Sequence, residues 1–186
     1  MSTKTVKRVS KYNINSSHFL FNYCDTETIK AKNLRNLANY HIRQCFILSS
    51  KEELNKEQEV YLKDINNAID RFNEKKKPLF YEKKPIKIEK AKLQLKEFKN
   101  KKSNSKKSKE ELEKKEKALE RLINSEYKPH KYIGLENGLI TYDFLDFYFS
   151  NYLESEDNPY KMLPIQTSQQ VLRTLFKDWK SFFTTI

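Results

Sequence analysis

The chain has 186 residues and a mass of 22.4 kDa, 37% of it hydrophobic and 33% charged, which allows one packed core and leaves part of the chain too polar to pack. Its net charge of +12 points to a polyanionic partner, nucleic acid before any other, and its two glycines exclude a turn-rich β architecture. No apolar run reaches membrane-spanning length and the first residues lack the apolar stretch of a signal peptide, so a cytoplasmic protein with no membrane partner is expected, its charge compatible with association with the nucleoid.

Val6, Val9, Tyr12 and Ile14 alternate imperfectly through a basic segment and predict a short β-strand, ended by the turn and cap chemistry of Asn15, Ser16 and Ser17. No good strand pattern follows nearby to pair with it. His18 to Cys24 predicts an apolar helical turn or two. A new cap at Asp25 or Thr26 then predicts a long helix to about Leu48, with Ile29, Leu34, Leu37, Ala38, His41, Ile42, Cys45 and Phe46 as its apolar stripe. Cys24 and Cys45 have no C-x-x-C partner and are expected as reduced thiols in helix cores, and His41 is expected as a core residue.

From Ser49 to about Lys128 the composition changes. Ser49, Ser50, Glu52 and Glu53 predict a helix start, and Leu54, Tyr61, Leu62, Ile65, Ile69 and Phe72 a thin seam that Lys75–Pro78 should stop. Ile88, Ala91, Leu95 and Phe98 predict a second helix, Leu112, Ala118, Leu119, Leu122 and Ile123 a third, and residues 100–108 a solvated tip between them. Lys75 to Lys117 contains eighteen lysines against seven glutamates, so nearly all of the net charge sits in this insert, expected as a lysine-rich helical hairpin or a partly disordered arm. Beyond it, Asn137–Gly138 is a tight-turn signal, and Thr141 can cap a short aromatic helix containing Tyr142, Phe144, Leu145, Tyr148, Phe149 and Tyr152.

Pro164 fits the first turn of a final helix. Val171, Leu172, Leu175, Phe176, Trp179, Phe182 and Phe183 give it an apolar face, and Gln166, Gln170, Arg173, Lys177 and Lys180 recur on the other as a ladder of amides and cations. In the first long helix Asn33, Asn36, Asn39 and Arg43 lie close to one face, with Lys32, Arg35 and Gln44 at its margins. Three asparagines in seven residues weaken a helix, and amides with guanidinium groups make phosphate, 2′-hydroxyl and base-edge contacts; an amide network between helices is the other reading.

No catalytic constellation is legible. The histidines His18, His41 and His130 lack metal-ligand spacing, there is no phosphate-binding loop or nucleophile elbow, and the carboxylates lie among lysines or in a polar loop. No metal and no cofactor are expected.

Two segments carry a resemblance. Asn33-Leu-Arg-Asn-Leu-Ala-Asn-Tyr-His-Ile-Arg-Gln44 with Phe46-Ile47, and Leu163-Pro164 through Gln169-Gln170-Val-Leu-Arg173 to Trp179-Lys-Ser-Phe-Phe183, resemble in the same order two segments of the TnpB/OrfB-type insertion-sequence proteins. Thr5–Tyr12 and His18–Leu20 also resemble their N-terminus, so the resemblance covers residues 1–48 and 131–186. These proteins are RNA-guided DNA endonucleases related to type V CRISPR effectors. The resemblance implies that residues 1–14 begin a wedge-type barrel and that the following helices form a recognition lobe inserted in it. Family members continue into the rest of the barrel and a RuvC-like nuclease with an Asp/Glu/Asp set, often with a zinc ribbon. None of these is present before Ile186, and the 49–128 insert is longer than the family pattern. Contact with nucleic acid therefore carries over, and cleavage does not.

The expectation is a mainly α protein: a helical bundle with a long lysine-rich helical hairpin and a short N-terminal β-strand. Residues 1–14 would be the first strand of an incomplete barrel, 15–48 and 129–186 the recognition-lobe core, and 49–128 the insert. Such a chain is an N-terminal fragment that contacts guide RNA or an RNA–DNA heteroduplex and is not itself an enzyme. Lys32, Arg35, Arg43, Arg173, Lys177 and Lys180 would meet phosphates, and Asn36, Gln166 and Gln170 sugars or base edges. RNA or DNA, and a separate chain carrying the nuclease half, are the implied partners. A basic helical protein-interaction module and a decayed reading frame are the alternatives.

Overall fold

The computed structural model describes residues 13–100, 106–135 and 137–185. The protein is mainly α, with helices α1 (Phe21–Leu48), α2 (Lys56–Asn100), α3 (Lys106–Ile123), α4 (Tyr142–Phe147) and α5 (Ile165–Thr185). The expected strand lies almost wholly in residues 1–12, outside the described residues; Asn13 and Ile14 are not in a strand. The described residues divide into two compact units, one holding those up to Arg43 and from Thr141 onward, the other Gln44–Ile140.

In the first unit α1 starts at Phe21 and runs on without the break expected at Asp25 or Thr26. The hydroxyls of Thr26 and Thr28 donate to the carbonyls of Asn22 and Cys24 at 2.8 and 2.7 Å. Their polar atoms are thus satisfied inside the helix and no new cap is required. Leu34, Ala38, His41 and Ile42 are buried from α1, and Leu172 and Leu175 from α5. Thr141 caps α4, its hydroxyl accepting from the Phe144 N–H at 3.3 Å. The helix then widens into a π-turn, Tyr148–Tyr152, where the Leu153 N–H reaches the Tyr148 carbonyl at 2.8 Å. The buried Asn158 finishes this end by donating to the carbonyls of Phe149 and Leu153 at 2.7 and 3.2 Å. His41 packs edge-on against Tyr148 and Phe149, with ring centroids 5.0 and 5.7 Å apart, as a core aromatic.

The second unit departs from the sequence expectation at two helix ends. Ser49 and Ser50 do not start a helix; their hydroxyls bond back to the Phe46 and Ile47 carbonyls at 2.7 and 2.9 Å and finish α1. The start falls at Lys56, where Asn55 and Gln58 cap each other reciprocally at 2.9 and 3.2 Å. Nor does α2 stop at Pro78: it continues through Pro78 and Pro85 to Asn100. Each proline removes one backbone donor, yet the apolar residues beyond them, Ile88, Leu95 and Phe98, still have α3 to pack on. α3 returns antiparallel, tied by Lys84 to the Ser125 carbonyl at 2.7 Å and by a Lys99–Glu116 ion pair at 2.7 Å. Tertiary packing has overridden local propensity.

At the base of this hairpin, α2 holds the non-helical return segment with two asparagines. The Asn66 side chain donates to the Ile133 carbonyl at 3.0 Å and accepts from its N–H at 2.8 Å. Asn73 does the same for His130 at 3.0 and 2.7 Å and also accepts from the Tyr127 hydroxyl at 3.0 Å. Seven residues of helix rise roughly 10.5 Å, and three residues of extended chain span about 10 Å. Amides two turns apart therefore meet residues three apart. Gly138 packs so closely on the end of α1 that a Cβ there would sit 2.1 Å from Ser49 Oγ and 2.9 Å from Phe46 Cα.

Candidate nucleic-acid interface

The nine residues singled out from the sequence fall into three settings. Lys32 and Arg35 of α1 and Gln166 and Gln170 of α5 line one open groove of about 590 Å³. Its remaining lining is Thr28, Ala31, Thr167, Val171 and Thr174. The helices part there because their buried stripes point elsewhere: Leu34, Ala38 and Ile42 on α1, and Ser168, Leu172 and Leu175 on α5. Arg35 is ion-paired with Asp178 at 2.8 Å, both side chains about half exposed. Such a pair is worth about 0–1 kcal/mol, so a phosphate can compete for the guanidinium.

Arg173, Lys177 and Lys180 form the second setting, on the flank of α5 outside the groove lining. All three are exposed. Arg173 is not wholly free: its guanidinium lies 5.4 Å from the Tyr142 ring centroid, and its Nε donates to the Tyr142 hydroxyl at 3.2 Å. The planar cation is thereby oriented with its terminal nitrogens still available. Asn36 and Arg43 make the third setting, exposed on α1 beyond the groove lining. Asn39, from the same sequence face, is spent within the unit, accepting from Trp179 Nε1 at 2.9 Å. For that residue the helix-to-helix amide reading holds.

A second, smaller hollow of about 250 Å³ shares Arg35 and is otherwise lined by Asn39, Leu175, Asp178, Trp179 and Phe182. Sequence reasoning missed three participants here: Asp178 as partner of Arg35, Tyr142 as the platform for Arg173, and the threonine and aliphatic floor. Asp178 carried a signal, being the one carboxylate in α5. Tyr142 carried none, since its meeting with Arg173 spans thirty-one residues.

The charge of the second unit is arranged differently on its two long helices. On α3, Lys115 and Lys117 pair with Glu111 and Glu113 one turn back, at 3.8 and 2.6 Å. On α2, Lys83, Lys87 and Lys90 stand exposed at i, i+4 and i+7, and none of the described carboxylates pairs with them. Among the described residues no cluster of three metal-ligating side chains occurs, and no helix is long and apolar enough to cross a membrane. Both cysteines are free, and burial pushes the Cys45 thiol up to about 12.

No family model, curated protein or solved structure matches the chain.

Proposed function

We propose that this chain is the N-terminal, nucleic-acid-binding part of a TnpB-like RNA-guided nuclease, holding guide RNA or an RNA–DNA heteroduplex through its backbone and supplying no nuclease of its own. The observation that carries the reading is the groove in which Lys32 and Arg35 of α1 face Gln166 and Gln170 of α5. These residues belong to, or directly border, the two segments that carry the resemblance. Lysine and arginine would meet phosphates, the amides sugars or base edges, and the lysine-rich α2–α3 arm would add salt-dependent attraction. Cleavage would come from a separate chain or from protein beyond these residues.

The test is a salt titration of RNA binding. Each cation on a phosphate contributes about 0.7 to the log–log slope on a single strand and about 0.9 on a duplex, so Lys177→Ala with Lys180→Ala should reduce it by roughly 1–2 units. An unchanged slope removes the α5 flank from the interface. Purified chain with RNA and magnesium or manganese should leave DNA uncut, and cleavage that follows the protein through successive columns overturns the non-nuclease reading.

A protein-docking role for the arm has one observation in its favour. Ile86 and Leu93, two turns apart on α2, are both more than half exposed. Association that persists at high salt and is lost in Ile86→Ser with Leu93→Ser would assign the arm to a protein partner.

A further inference from the structure

The floor and the rim of the α1–α5 groove have different chemistry. The Thr28 hydroxyl is spent on the Cys24 carbonyl at 2.7 Å and that of Thr174 on the Gln170 carbonyl at 2.9 Å. With those two hydroxyls engaged on their own helices, the methyl groups of Thr28 and Thr174 join Ala31 and Val171 as the apolar part of the lining, and Thr167 adds a hydroxyl beside them. The polar groups stand at the rim, cations on α1 and amides on α5, and none of the described lining residues is a carboxylate. A volume of about 590 Å³ lies within the roughly 300–1,000 Å³ of small-ligand sites.

An apolar floor asks for the face of a planar ring. Amides ask for a ring edge carrying both donors and acceptors, and the cations ask for a phosphate close by. A nucleotide with its base unstacked satisfies all three. A duplex keeps its base faces stacked and can offer the groove only its backbone and base edges, never the face of a ring. The second hollow continues the argument, because Arg35 stands between the two and Trp179 and Phe182 line the far side. A strand could place one base in the groove, the next phosphate on Arg35, and the following base against the aromatic pair.

We propose that the α1–α5 groove is a binding site for single-stranded nucleic acid that takes one unpaired base on the floor of Thr28, Ala31, Val171 and Thr174 and reads its edge with Gln166 and Gln170. The proposal rests on the nucleic-acid reading above and narrows it, since backbone contact alone requires no base. Asp178 holds Arg35 at the junction and gives it up to the phosphate.

Trp179 is the one tryptophan in the chain, so its emission reports on the second hollow directly. The probes are an octauridylate and an abasic octamer of equal charge, titrated at one salt concentration. The base-bearing strand should bind at least tenfold more tightly than the abasic strand and change the Trp179 emission. Gln166→Ala with Gln170→Ala should weaken the base-bearing strand at least threefold and leave the affinity for the abasic strand unchanged; both residues are exposed, and far-UV circular dichroism checks the fold. Equal binding of the two strands by the unaltered chain, or binding without a Trp179 response, overturns this proposal and leaves the backbone reading standing. Failure to bind either strand or a duplex overturns both. A Trp179 response to an amphipathic peptide and not to the octauridylate assigns the groove to a protein and also overturns the proposal.

Discussion

At the residue scale, the side chains that organise the structure are polar ones whose role the sequence could not announce. Asn66 and Asn73 sit at i and i+7 inside an ordinary apolar seam, and their partners lie 67 and 57 residues away. Nothing local marks them. Asn73→Ala removes three hydrogen bonds and leaves the His130 N–H without its acceptor, so it should lower the stability of the second unit by about 1–3 kcal/mol in urea unfolding. Cys45 was legible, because it lies on the apolar stripe of α1. Burial keeps its thiol protonated throughout the neutral range, whereas Cys24 is only half-buried. Ellman's reagent at pH 8 should therefore titrate one thiol in the native chain and two after denaturation. Asp178 gives a prediction with the opposite sign for binding. Asp178→Asn frees Arg35 from an exposed ion pair and should tighten RNA binding by up to about fivefold, with little change in melting temperature.

At the scale of elements, helix type was well signalled and helix ends were not. The stripes of α1 and α5 were readable because their buried residues recur at helical spacing: Leu34, Ala38 and Ile42, then Leu172 and Leu175. The ends failed wherever a serine or proline had two possible uses. Ser49 and Ser50 could begin one helix or finish another, and the end of α1 took them. Pro78 and Pro85 read as stops, but the packing of α2 on α3 carries the helix past both. The groove was half legible: its polar rim came from the 3.6-residue ladder, while its floor and Asp178 emerged only when two distant helices met. The return segment also carries a pH response. Burial lowers the pKa of His130, outweighing the raising effect of its contact with the Lys131 carbonyl. The folded state thus binds its proton less readily than the unfolded chain, whose histidine titrates near 6.5. The stability contributed by the neutral ring is complete above that value and is lost as pH falls towards the depressed folded pKa. Urea midpoints of the second unit should drop on going from pH 7.5 to 5.5, and His130→Gln should flatten that part of the profile.

At the scale of the whole molecule, charge is apportioned by helix. On α3, Lys115 and Lys117 pair with glutamates of the same helix, while α2 presents Lys83, Lys87 and Lys90 in a row. Changing these three to glutamine preserves helix propensity and removes three counterion-releasing groups. It should lower the salt slope of RNA binding by roughly 2–3 units while leaving the preference for unpaired bases intact. The asparagine clasp has a consequence for how such a chain can vary. It fastens the return segment at the foot of the arm, with Lys84 and Ser125 joined one step above. Distal to that step, residues 85–100 of α2 and Lys106–Ile123 of α3 run side by side, each helix advancing about 1.5 Å per residue. Removing or adding about seven residues in both, two turns at a time, changes the reach by roughly 10 Å and returns nearly the same faces to each other. The arm therefore behaves as a gauge rod, whose length can be reset in steps without disturbing its mounting.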